Sequence, residues 1–197
     1  MITNGKDKIK LGVIIGNRDF FPDALITDGR TEVLGVLNEL GIDYVVLDEQ
    51  TTPFGAVETW EHAKACAALF RKHADEIAGI LVSLPNFGDE KAVAETIKLS
   101  GLRVPILVQA FPDDLDKFNV ERRRDAFCGK ISVCNNLYQY GFAFSVTEQH
   151  TVRPNTEAFK ADLRKFAAVC RVVKFLPNAR LGAIGARPNN FNTTRYS

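Results

Sequence analysis

The stretch Gly79-Ile80-Leu81-Val82-Ser83-Leu84-Pro85-Asn86-Phe87-Gly88-Asp89 decides how this chain is read. Gly79 to Val82 is a short apolar run, which predicts a strand buried on both faces. Ser83 to Gly88 is polar and carries proline and glycine, so it reads as a loop. Asp89 suits the start of a helix whose inward face holds Val93, Ala94 and Ile97, and Gly101 suits its end. The unit is therefore strand, polar loop, helix.

Working outward, the same unit recurs. Ile9 to Ile15 predicts a strand that ends in Gly16-Asn17-Arg18-Asp19. Pro22 fits the first turn of a following helix, with Val33, Leu34, Leu37 and Leu40 on one face and Gly41 at its stop. Tyr44 to Leu47 predicts a second strand, followed by a helix from about residue 58 to 74 with Trp60, Ala63, Ala67 and Phe70 inward. Beyond Gly101, Val104 to Val108 predicts a fourth strand, and Gln109-Ala110-Phe111-Pro112-Asp113 its loop. This alternation predicts a doubly wound, mostly parallel, flavodoxin-like sheet with helices on both faces.

The later part is less regular. A helix is expected over Ile131 to Gly141 and a fifth strand over Ala143 to Val146. Thr156 should cap a helix in which Phe159, Leu163, Phe166, Cys170 and Val173 recur at helical spacing. Leu176-Pro177-Asn178 breaks that helix, and Arg180 to Ile184 then predicts one more strand. The expected organisation is a first α/β domain over 1–155, a connecting helix over 156–178, and the opening strand and loop of a second α/β unit over 179–197.

Composition narrows the function classes. Of 197 residues, 46% are hydrophobic and 25% charged, with a net charge of +1. That balance gives no long-range field for nucleic acid or anionic lipid. Arg122, Arg123 and Arg124 form a basic cluster among acidic neighbours, which reads as a solvated helical face. No apolar run reaches membrane-spanning length, and the amino terminus lacks an apolar signal region. Four cysteines without a CxxC pair fit a reduced, cytoplasmic protein. The three histidines show no ligand spacing with each other or with the cysteines, which argues against a zinc site.

Nucleotide motifs are missing: no GxGxxG follows the first strand, and no GxxxxGK[ST] occurs. A GxSxG elbow is also absent. What remains is a set of polar residues at the expected carboxyl ends of strands, where ligands sit in open parallel sheets. They are Asn17, Arg18 and Asp19; Ser83, Asn86 and Asp89; Gln109 and Asp113; and Arg187 and Asn190. Such amide, guanidinium and carboxylate groups can engage the hydroxyls of a sugar. Ordinary polar connections and helix caps account for each one singly, and Asp89 fits an N-cap best. Cys134-Asn135-Asn136 is expected at a helix start, where exposed N–H groups could lower a thiol pKa. No histidine lies nearby to pair with it, which favours packing there. His150 is a lone loop histidine.

Several segments together resemble the L-fucose isomerase family. They are Gly16-Asn17-Arg18-Asp19-Phe20-Phe21-Pro22, Ser132-Val133-Cys134-Asn135-Asn136-Leu137-Tyr138, Glu148 to Arg153, Leu163-Arg164-Lys165-Phe166, and Gly182-Ala183-Ile184-Gly185-Ala186-Arg187-Pro188 with Phe191 and Thr193. The resemblance covers nearly the whole chain but only the amino-terminal part of the family's chain. It implies a cytosolic aldose–ketose isomerase that uses manganese or another divalent metal and assembles as a trimer or hexamer. In that family, metal ligands and acid–base carboxylates come from later domains, so the resemblance implies no catalytic residue and no metal ligand before Ser197. It further implies that this domain borders a neighbouring subunit's substrate site, with Arg18, Asn86, Gln109 and Arg187 facing a fucose- or arabinose-like sugar. The expected function is thus a substrate-bordering domain, inactive alone. A flavodoxin-like sugar-binding or interaction module without catalysis is the alternative. Half of a periplasmic-type sugar-binding protein or regulator is a third reading, disfavoured by the missing signal region and helix-turn-helix.

Overall fold

The computed structural model describes residues 9–117, 119, 122–182, 184, 185 and 190. Five strands form one parallel sheet: β1 (Lys10–Ile15), β2 (Asp43–Val46), β3 (Ile77–Leu84), β4 (Ile106–Ala110) and β5 (Ser145–Val146). Their order is β2-β1-β3-β4-β5. Five helices connect and cover them: α1 (Asp23–Glu39), α2 (Trp60–Lys72), α3 (Glu90–Ser100), α4 (Ala126–Gln139) and α5 (Glu157–Phe175). This is the doubly wound, flavodoxin-like α/β fold.

Side chains alternate across each strand, so the sheet feeds two cores. On one face Leu11, Val13, Ile15, Leu81 and Leu107 meet α1 and α5 through Ile26, Val33, Leu37, Phe159 and Leu163. On the other, Ile14, Ile80, Val82 and Val108 meet α2, α3 and α4 through Phe70, Val93, Ile97 and Val133. All eight residues of β3 are buried. The central strand is covered on both faces, which is why its sequence reads as a continuous apolar run.

Local signals explain the helix ends. Thr59, Asp89 and Thr156 each accept a hydrogen bond from a first-turn backbone N–H, of His62, Ala92 and Phe159 respectively. Gly101 closes α3 in the left-handed conformation. Several expectations shift. Trp60 is 46% exposed, because capping by Thr59 starts α2 at a surface position. Val173 of α5 is 44% exposed and lines a cleft with Ile106 and Phe142. The same helix buries Phe159, Leu163, Phe166 and Cys170 in the core on one face of this sheet. The strand expected over 180–184 does not form among the described residues. Arg180, Leu181, Gly182 and Ile184 run as irregular chain, with Leu181 and Ile184 exposed and without the neighbouring backbone that a strand requires.

Candidate functional site

In the order β2-β1-β3-β4-β5, connections leave in opposite directions on either side of the β1–β3 pair. The crevice beyond the carboxyl ends of these two strands is the topological switch point. Its walls are the loop after β1, residues 16–22, and the loop after β3, residues 85–89. A third segment joins them. Val57 donates to the Ile15 carbonyl at 2.8 Å, and Asn17 donates its backbone N–H to the Val57 carbonyl at 3.0 Å. This bridge brings Glu58 beside the crevice.

A chain of polar side chains runs through the crevice. Asn86 Nδ2 donates to Asn17 Oδ1 at 2.7 Å, and Asn17 Nδ2 donates to Glu58 Oε2 at 3.1 Å. Asn86 Oδ1 accepts from the Gly88 N–H at 3.0 Å, and the Asn17 carbonyl accepts from the Asp89 N–H at 2.8 Å. Asn17 and Asn86 are both buried. Their amides use donor and acceptor together, which fixes both loops and orients Glu58. Burial raises the Glu58 carboxyl above the usual glutamate range. The Asn17 hydrogen bond opposes the shift, and the negative charges of Asp19, Asp23 and Asp89 add to it.

Outside this polar chain lies an aromatic shelf. Phe21 and Phe87 stack with centroids 6.2 Å apart, and Phe20 extends the shelf into solvent. Arg18 lies over the Phe87 ring at 4.7 Å and pairs with Glu90 at 3.2 Å. On the far side, Arg123 lies 6.0 Å from the Phe21 ring. Phe21 is 5% exposed, so the apolar surface open to solvent here is the Phe20 ring, beside a guanidinium and a half-buried carboxylate.

Gly129 explains how the shelf is held. A Cβ at this position would overlap the Phe87 carbonyl, so α4 can press directly against the loop only with glycine there. Behind the shelf, Ser83 Oγ donates to Gln109 Oε1 at 2.6 Å, and Gln109 Nε2 donates to the Val152 carbonyl at 2.7 Å. Lys130 reaches Thr147 Oγ1 at 2.8 Å and the His150 carbonyl at 2.9 Å. Burial lowers the Lys130 pKa. These contacts tie β3, β4, α4 and the loop after β5 into one frame.

The expected site residues separate into three groups. Arg18 is at the mouth of the crevice. Asn86 and Gln109 are wholly buried, with their side-chain atoms committed to neighbours. Arg187 lies outside the described residues. The structure brings Arg18 and Asn86 to one crevice and puts Gln109 behind it, on β4. Cys134 falls inside α4 rather than at its start, since the helix begins at Ala126. Burial pushes its thiol up, and the charge of Lys130 opposes that shift. The expected solvated arginine face is also revised. Arg124 is 5% exposed and lies before α4, donating to the Pro85 carbonyl at 2.8 Å.

Glu58 was not singled out by the sequence, because the helix was expected to start there. Recognising Thr59 as the cap would have left Glu58 in the loop. No three His, Cys, Asp or Glu side chains converge to hold a metal ion among the described residues. The donor set of this crevice, one half-buried glutamate with amides and a guanidinium, does not fit a divalent-metal centre.

Residues 12–177 match the family model described as the N-terminal domain of fucose/sulfoquinovose isomerase. No curated protein matches the chain.

Proposed function

The chain belongs to the fucose/sulfoquinovose isomerase N-terminal domain family, and from that premise we propose that it is the substrate-bordering domain of a sugar aldose–ketose isomerase. The switch-point crevice carries this reading. The exposed Phe20 ring, backed by Phe21, suits the C–H face of a sugar ring, and Arg18 and Glu58 suit its hydroxyls. Arg18 is the direct substrate contact in this proposal. Asn86 holds the loop and Glu58 in place, and Gln109 holds the strand ends behind them. Arg187 is proposed as a further sugar contact.

Isomerisation moves a proton between adjacent carbons and needs a base together with a group that polarises the carbonyl. The described residues do not fit a metal, so no metal-dependent step is assigned to this chain. Manganese or another divalent ion, and the acid–base carboxylates, would come from other parts of the enzyme, with this edge facing a neighbouring subunit of a cytoplasmic trimer or hexamer. The chain alone is then inactive.

Titration of the purified chain with L-fucose and L-arabinose, followed by amide NMR, tests this. Shifts confined to residues 16–22, 58 and 85–90, without ketose formation in the presence of manganese, are expected. Arg18→Ala should abolish the shifts while the fold persists. Manganese-dependent conversion by the chain alone would overturn the inactivity, and shifts confined to other surfaces would overturn the site. Micromolar binding by a stable monomer would instead favour a stand-alone sugar-binding module.

A further inference from the structure

From Ala126 to Thr147, through α4, the turn after it and β5, the sequence holds one charged residue, Lys130, although 25% of the whole chain is charged. Lys130 is buried and bonded to Thr147 Oγ1 and the His150 carbonyl, so its charge is turned inward. α4 therefore exposes no charge to solvent. Among the described residues every other helix does, with Asp28 on α1, Lys64 on α2, Lys91 on α3 and Lys165 on α5.

What α4 exposes instead is apolar. Phe127, Ile131 and Tyr138 recur at helical spacing on one stripe, with Ile131 57% and Tyr138 78% exposed. Beyond the helix, Val146 is exposed on β5, the last strand of the sheet, whose outer edge has no strand partner among the described residues. Between the two, Tyr140, Phe142 and Phe144 line a hollow of about 700 Å³. A solvated helix carries charge on its outer face, whereas aromatic and aliphatic surface without charge is the composition of the core of a protein interface.

The same features select the partner. In a two-fold interface a patch meets its own copy, so a charge near the axis faces a like charge. The α4 patch has none to oppose itself. A second exposed apolar stripe, Val169, Val172 and Val173 on α5, is flanked by Lys165 and Arg171 and would set cations against cations. The α4 patch also carries both a protruding ring, Tyr138, and a recess walled by Tyr140, Phe142 and Phe144, which two copies can exchange. We infer that α4 and the segment through β5 form a two-fold interface with a second copy of this chain, the Tyr138 ring of each copy seated in the hollow of the other. The inference does not rest on the isomerase reading, since it concerns a different surface from the crevice and its test involves no sugar.

Sedimentation velocity of the full chain over about a hundredfold range of concentration should show a monomer–dimer equilibrium. Ile131→Glu and Tyr138→Lys, each at an exposed position, should weaken the dimer at least about tenfold. The urea midpoint of the monomer should be unchanged in both, and if one variant does not fold, the other decides. Val172→Glu, on the α5 stripe, should leave the dimer as it is. A chain that stays monomeric at every concentration, or one that forms a trimer or grows without limit, would overturn the inference. So would full association in a folded α4 variant, or a loss from Val172→Glu as large as theirs.

Discussion

The two ends of the sheet spend their polar groups differently. At the carboxyl end, Asn17, Ser83, Asn86 and Gln109 are buried, and each is hydrogen-bonded to another segment. At the amino end the polar contacts are near the surface. Glu76 takes Lys10 and the His73 ring, and Lys174 donates to the carbonyls of Asp75 and Glu76 at 3.1 Å. The larger cavity, about 700 Å³, also lies at the amino end, with Leu102, Val104, Phe142 and Phe144 among its walls. Cavity size and placed chemistry are therefore found at opposite ends. Buried amides are retained only where partners satisfy them, so their concentration marks the end whose geometry is most constrained.

The strongest way to break this contrast is at Gly129. Gly129→Ala should destabilise the fold by about 3 kcal/mol or more, because the new Cβ overlaps backbone rather than a movable side chain. Urea denaturation measures the loss, and a change under about 1 kcal/mol would mean that α4 does not clamp the shelf. Asn86→Leu comes next. It leaves Asn17 Oδ1 and the Gly88 N–H without their partner, at a cost of about 2 kcal/mol. Lys10→Ala at the amino end should cost less than either, since an exposed ion pair contributes little.

The smallest effect is also the most diagnostic, because the two ends should respond to pH with opposite sign. Glu58 has a raised pKa from burial, so its contribution is fully present below the unfolded glutamate pKa and is lost as pH rises through the folded value. The hydrogen bond from Lys10, with that from His73, pulls Glu76 down to about 2. Its contribution is present above the ordinary glutamate value and is lost as pH falls from there toward about 2. Glu58→Gln should make stability less dependent on pH above the ordinary value, and Glu76→Gln should do so below it. Midpoints measured from pH 3 to 8 in both variants check this. The same sign of change in both would remove the contrast.

The fold was legible because βα alternation, apolar strand runs and capping residues agreed with one another. Asp89, Gly101 and Thr156 were readable from local chemistry alone. The site was less legible because its parts meet through distant pairings. Glu58 reaches the crevice only by the rung between Gly16 and Val57, and Arg124 is buried only by Pro85 and Phe111 from other loops. Neither arrangement leaves a periodic trace. Arg122, Arg123 and Arg124 look alike in sequence, and only the third is buried. Gly129 gave no signal either, since a helical glycine matters only through the carbonyl pressed against it.

Arg30 reaches from α1 to the carbonyl of Leu47 at 2.7 Å and to that of Gly55 at 3.3 Å. The excursion between β2 and the Val57 rung is thus stapled at both feet by one buried side chain. Residues 48–54 form a handle whose length can change while its base stays fixed, and lengthening a loop adds only slowly to its closure cost. Extra residues between Glu49 and Thr51, both exposed, should leave the β1–β2 pairing and the position of Glu58 unaltered. That makes this loop a graft point for a reporter or a tether that would not disturb the crevice.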